Sequence, residues 1–148
     1  MRVFTCAQEL AAAVGQCIGP GPWQRVDQAR LDAFADATGE PRCAGLGAAA
    51  PGWLTLSLLP MLVRDVYRFD NVRLGVDYGV NRVRFPAPVP VGAAVRLLAR
   101  IAEVEPVTDG ERAGGVQLVA QLTVRADGQD KPCCVAETVS RIYFEEEP

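Results

Sequence analysis

Any chemistry in this chain must be done without histidine. None occurs among its 148 residues. That removes the commonest acid/base side chain near neutral pH and leaves proton transfer to carboxylates, thiols and phenols. The thiols are Cys6, Cys17, Cys43, Cys133 and Cys134. Cys43 has no His or Lys nearby to lower its pKa, so it reads as structural rather than as a nucleophile. Cys133 and Cys134 are adjacent and cannot both face one side of a strand. Zinc would have to be held by Cys and carboxylates alone, and neither metal nor cofactor is expected. An odd thiol count, no CxxC and no secretory signal fit a reducing cytoplasm.

Charge narrows the partners. The net charge is −3, and no basic cluster stands out along the chain. A nucleic-acid surface is therefore not expected, since it needs concentrated Lys and Arg. With 49% hydrophobic and 22% charged residues, the composition suits one soluble domain that buries roughly 70% of its unfolded surface. The apolar run Leu10–Val14 is too short for a signal core or a membrane span.

The elements that must position any site follow in order. Thr5–Val14 reads as a short helix opened by Thr5, with Gln8 placed as in a capping box. Gly15 can end it, Gly19-Pro20-Gly21-Pro22 forms a rigid turn, and Trp23–Val26 is a short strand. Asp27 is a good N-cap for a helix over Gln28–Thr38, with Leu31, Phe34, Ala35 and Thr38 on one buried face and Gly39 at its left-handed end. Glu40–Pro51 is a connector of small residues. From Trp53 to Tyr67 the apolar residues cover nearly the whole helical circumference, which describes a helix enclosed by other structure, with Pro60 kinking or ending it.

Period two takes over after Asn71. Val72, Leu74, Val76, Tyr78 and Val80 alternate with polar or small residues, and the phase slips near Asn81–Arg82, where a bulge is expected. Pro86, Pro88 and Pro90 stiffen a turn to Gly92. Further strands are expected over Ala93–Val104, Val116–Arg125 and about Pro132–Phe144, with loops at Asp109-Gly110 and Asp127-Gly128 and a solvated tail over Glu145–Pro148. The economical solution is an α+β domain, a curved antiparallel sheet wrapped around one central apolar helix. Such a sheet leaves edges that pair in a dimer.

The runs FADATGE, GWLTLSLLP, DYGVNRVRFPAPVPVGAAVR and KPCCVAETVSR, in that order and spanning almost the whole chain, resemble the MaoC-like (nodulation protein N-like) hydratases and dehydratases of the hot-dog fold. The resemblance implies enoyl-thioester hydration or 3-hydroxyacyl-thioester dehydration by a dimer. The family's motif has an Asp after A-T-G and a His a few positions on, which together activate a water. Here Glu40 stands at the Asp position, PRCAGLG follows it, and the distance to Gly52 falls well short of the family's. The family's A-H-G phrase is Ala50-Pro51-Gly52, and the Asn of its N-Y-G phrase is Asp77. The scaffold carries over, and the catalytic loop reads as deleted.

Three functions fit that pattern. The sequence leans to a recruited enzyme that folds a large apolar, polyketide-type substrate and promotes its cyclisation, because a pericyclic step needs orientation and a few hydrogen bonds more than proton transfer. The alternatives are a non-catalytic partner of a catalytic hot-dog subunit, and a residual hydratase using Glu40 or Asp77. The candidate catalytic residues are Glu40, Trp53 and Asp77. Gly52, Leu54, Leu56, Tyr78 and Asn81 are the candidate substrate contacts, with free backbone N–H groups at Gly52–Trp53. Each has a plainer reading. Glu40 can be a solvated loop carboxylate, Asp77 can face water, Trp53 and Tyr78 can be core, and Arg82 and Arg84 can be salt-bridged. The expected partners are an apolar small molecule and a second hot-dog chain, the same or different.

Overall fold

The computed structural model describes residues 1–45, 47–108 and 114–145. Four long strands dominate it: β6 (Val72–Arg84), β8 (Ala94–Pro106), β9 (Val116–Ala126) and β10 (Cys134–Phe144). They pair antiparallel in the order β8-β9-β10-β6, and the short strands β2 (Cys17–Ile18) and β3 (Gln24–Arg25) both pair with the free side of β8. Alternation sets the faces. Val95, Leu97, Ala99 and Ile101 of β8 and Leu118, Ala120, Leu122 and Val124 of β9 are buried together in the core. Arg96, Arg100, Gln121 and Arg125 take the other face.

Helix α2 (Gln28–Thr38) forms as its caps dictate. Asp27 Oδ1 accepts from the Arg30 N–H at 3.0 Å, and Gly39 closes the helix at φ 78°. Leu31 and Ala35 are buried and Phe34 packs on the core. Thr38 differs from expectation, being exposed with its hydroxyl donating back to the Phe34 carbonyl at 2.7 Å. Helix α1 (Ala7–Ala12) starts later than predicted. The residue that reaches back is therefore Glu9, not Gln8, and it accepts from the Thr5 N–H at 2.7 Å and the Thr5 hydroxyl at 3.1 Å.

The central helix is two short helices, α3 (Gly52–Ser57) and α4 (Leu59–Arg64), jointed at Leu58. Pro60 sits in the first turn of α4, where its missing N–H costs nothing. Tyr67 leaves the helix for β5 (Tyr67–Phe69), which pairs parallel with β1 (Arg2–Phe4). Leu54, Leu58, Leu59, Leu62 and Val66 are buried against the sheet, each contributing about 1.5–3 kcal/mol. The helix is not enclosed all round, however. Trp53, Ser57, Pro60 and Arg64, at 4-3-4 spacing, form an exposed stripe.

Register shifts on β6 fall at Arg73, Tyr78 and Asn81, so the bulge expected near Asn81 is one of three. The proline turn also builds a small ladder, β4 (Ala49–Ala50) with β7 (Val89–Pro90). The Asp109-Gly110 signal and residues 146–148 of the tail lie outside the described residues. Among the described residues no helix is long and apolar enough to cross a membrane.

Candidate active site

A cavity of about 460 Å³ lies between α4 and the inner face of the sheet. Its walls include Leu59 and Val63 of α4, Leu122 of β9, Asp77 of β6, and Thr138 and Ser140 of β10. Asp77 and Ser140 are direct cross-strand partners, which puts a carboxylate and a hydroxyl side by side in one wall. The Thr138 hydroxyl approaches the Ala120 carbonyl at 3.5 Å. The rest of the lining is largely apolar, a composition suited to holding an acyl chain with a few polar contacts to orient it.

Tyr67 also lines this cavity, and sequence reasoning missed it by placing it as the last apolar residue of a helix. Burial pushes its phenol above the ordinary value of 10.0. It stays protonated, so toward an anionic or carbonyl ligand it acts as a donor. The signal available in the sequence was the Tyr67-Arg68-Phe69 alternation.

Asp77 alone of the eight sequence-chosen residues lines the cavity. Glu40 lies exposed in the loop after α2, its backbone N–H 3.4 Å from the Thr38 hydroxyl. Gly52, Trp53 and Phe85 come together at the opposite end of the helical segment. The Trp53 and Phe85 rings meet edge to face at 6.0 Å, and Trp53 is 61% exposed. Leu54 is core and Leu56 packs against the core. Tyr78, expected inside, is 57% exposed, because the register shift at its position frees it from the ladder; the Arg141 guanidinium lies 4.0 Å from its ring centroid. Asn81 donates through Nδ2 to Glu137 Oε1 at 2.9 Å. Arg82 and Arg84, read as candidates for salt bridges, form none among the described residues.

Two of the thiols are core groups. Cys133 and Cys134 are buried, and burial pushes both up to about 11. Cys133 Sγ donates to the Val124 carbonyl at 3.3 Å. Among the described residues no His, Cys, Asp or Glu cluster could hold a metal ion.

The cavity and the helix-on-sheet architecture define the hot-dog fold. A MaoC-like dehydratase from Rhodospirillum rubrum superposes with a TM-score of 0.66 at 19% identity, covering 92% of this chain and 95% of that one. Two mycobacterial complexes, ChsH1-ChsH2 and the 3R-hydroxyacyl-ACP dehydratase HadBC, contain chains of the same fold at TM-score 0.56, with 12% and 19% identity. These cover 96% and 87% of this chain, and 91% and 96% of their own. No family-level sequence model matches the chain. Direct relatives do. The 3-hydroxyacyl-thioester dehydratase Z of Mycobacterium tuberculosis is 40% identical over 95% of this chain and 98% of its own. Nodulation protein N of Rhizobium leguminosarum bv. viciae is 31% identical over 93% and 91%. The chain belongs to the MaoC-like hydratase and dehydratase family.

Proposed function

We propose that the protein is an acyl-binding hot-dog subunit that lacks the acid–base pair of a working hydratase, and that a second hot-dog chain completes its site. One observation carries this reading. Pro60 and Arg64 both line the cavity and belong to the exposed stripe of the central helix, so the cavity opens onto a face left uncovered in the single chain. The neighbouring strand β6 pairs only with β10 among the described residues. A second copy, or a different hot-dog chain as in the two complexes, would close both at once.

Hydration needs a positioned base for water and an acid for the α-carbon. Among the described residues Asp77 is the one carboxylate on the cavity wall, and Glu40 is out on a loop. The alignment to the dehydratase runs over 152 residues and takes in 95% of a 148-residue chain. It therefore contains gaps on this side, in keeping with a lost catalytic loop between Glu40 and Gly52. Five free thiols suit work in the cytoplasm.

A second reading, the recruited cyclase, is favoured by a different feature. Asp77, Thr138 and Ser140 share one wall of a cavity whose remaining lining is mostly apolar, with Tyr67 and the two arginines Arg64 and Arg68 as its other polar groups. A shaped cavity with few hydrogen bonds is what a cyclisation by orientation requires. That reading leaves Trp53 without a part in the cavity.

Isothermal titration with octanoyl-pantetheine, beside a hydration assay with crotonyl-thioester, tests the first reading. The expected result is binding without turnover, and binding lost in Val63→Trp. Hydration by the protein alone that disappears in Glu40→Ala or Asp77→Asn would instead make it a hydratase. Conversion of a linear polyene thioester to a product of equal mass, impaired more by Leu122→Trp, which fills the cavity, than by Glu40→Gln outside it, would establish the cyclase.

A further inference from the structure

The outer face of the sheet, opposite the cavity, gathers arginines that are scattered along the sequence. Arg96 of β8 and Arg125 of β9 are direct cross-strand partners. Like charges placed directly opposite each other repel and weaken the pairing unless something compensates them. On the same face Arg25 pairs beside Ala94, Arg100 opposes Gln121, and Arg84 opposes Val135. Among the described residues the ion pairs are Arg42 with Asp32 and Asp36, and Arg68 with Asp70, so none of these five arginines is neutralised in that way. Backbone and neutral contacts hold some of them instead. The Arg96 guanidinium stacks 4.3 Å from the Trp23 ring centroid, Arg25 donates to the Gly92 carbonyl at 2.7 Å, and Arg125 donates to the Asp130 carbonyl. Glu137, the nearby carboxylate on the ladder, is engaged by Asn81.

The centre of the patch is not charged. Leu98, 39% exposed, opposes Thr123, which opposes Val135. This row runs between the Arg96–Arg125 pair and Arg100. An apolar centre rimmed by oriented guanidinium groups is the composition of a protein contact. A continuous phosphate backbone would also meet Glu103 and Glu105 farther along β8.

We infer that this face docks an acidic, amphipathic helix of another protein, its apolar side on Leu98 and Val135 and its carboxylates on Arg96, Arg125, Arg100 and Arg84. Guanidinium forks bind carboxylates bidentately, and stacking on Trp23 holds one fork in place before the partner arrives. The proposal concerns the outer face alone and does not depend on what the cavity binds.

Fluorescence anisotropy with a short labelled helical peptide, leucines on one side and glutamates flanking them, tests it on the full chain. The same titrations use a lysine-for-glutamate peptide, a single-stranded oligonucleotide and pyrophosphate. The expected result is salt-sensitive binding of the acidic peptide, weakened about tenfold or more in Arg96→Gln/Arg125→Gln and a few-fold in Leu98→Ala, with folding checked by circular dichroism. No binding of the acidic peptide would overturn the proposal. So would equal binding of the lysine peptide, tighter binding of the oligonucleotide with no effect of Leu98→Ala, or full competition by pyrophosphate.

Discussion

The ring of Phe85 closes over Gly52 so tightly that a Cβ there would stand 2.6 Å from it. Alanine is otherwise the better residue in a helix, by up to about 1 kcal/mol. The contact reverses that preference, because the ring is also held edge to face against Trp53. Gly52→Ala is expected to lower the unfolding free energy by about 1–2 kcal/mol in urea. Phe85→Leu in the same chain should recover part of the loss. A stabilised Gly52→Ala would mean that Phe85 moves aside freely.

Glu9 makes a pH-dependent contribution whose sign is fixed by its partners. The Thr5 N–H, then the Thr5 hydroxyl, hold its carboxyl below the ordinary value of 4.5. A carboxylate lowered by folding stabilises the fold above its unfolded pKa, and that stabilisation disappears as pH falls through the lowered value. Chemical denaturation from neutrality down through pH 4.5 should show the native chain losing stability relative to Glu9→Gln only at the acid end. The difference will be small, since the pair is exposed and screened. Parallel curves would remove the linkage.

The thiols should sort by burial. With Cys133 and Cys134 pushed up to about 11, each is roughly one part in a thousand thiolate at pH 8. Cys17 is exposed. Iodoacetamide labelling read by peptide mass spectrometry should modify Cys17 first and leave Cys133 and Cys134 unmodified until denaturant is added. Early labelling of either buried thiol would contradict the core described above.

What was legible in the sequence was local. Asp27 and Gly39 fix both ends of α2 because caps act within one turn, and the long strands follow from alternation. Of the two-residue strands, β3 falls within the expected Trp23–Val26, whereas β2 and β4 carry no periodicity, since their pairing is supplied by distant strands. The stop at Arg64 was hidden by the apolar Val66 and Tyr67, which continue the helical pattern while belonging to other structure. Of the candidates for the site, Asp77, chosen through the family resemblance, lines the cavity. The sequence could not foresee that the cavity sits at α4, away from Trp53, because that depends on where the sheet leaves room. The arginine patch was illegible for a related reason. Its members are separated along the chain and meet only through register.

Strand β6 sets the last expectation. Its outer edge has no partner among the described residues, yet Leu74, Tyr78 and Val80 leave it apolar, with Val80 47% exposed. A bare apolar edge of this length invites pairing with another chain, and lysine is the residue that ordinarily blunts such edges. Sedimentation equilibrium of the native chain should therefore show a dimer, and Leu74→Lys/Val80→Lys a folded monomer with unchanged circular dichroism. Because Pro60 and Arg64 place the cavity mouth on the same open side, the monomer should also bind octanoyl-pantetheine several-fold more weakly. A lysine variant that stays dimeric would move the interface away from β6. One that is monomeric but binds as tightly as the native chain would separate the cavity from the interface and return the single chain to consideration as a complete binding unit.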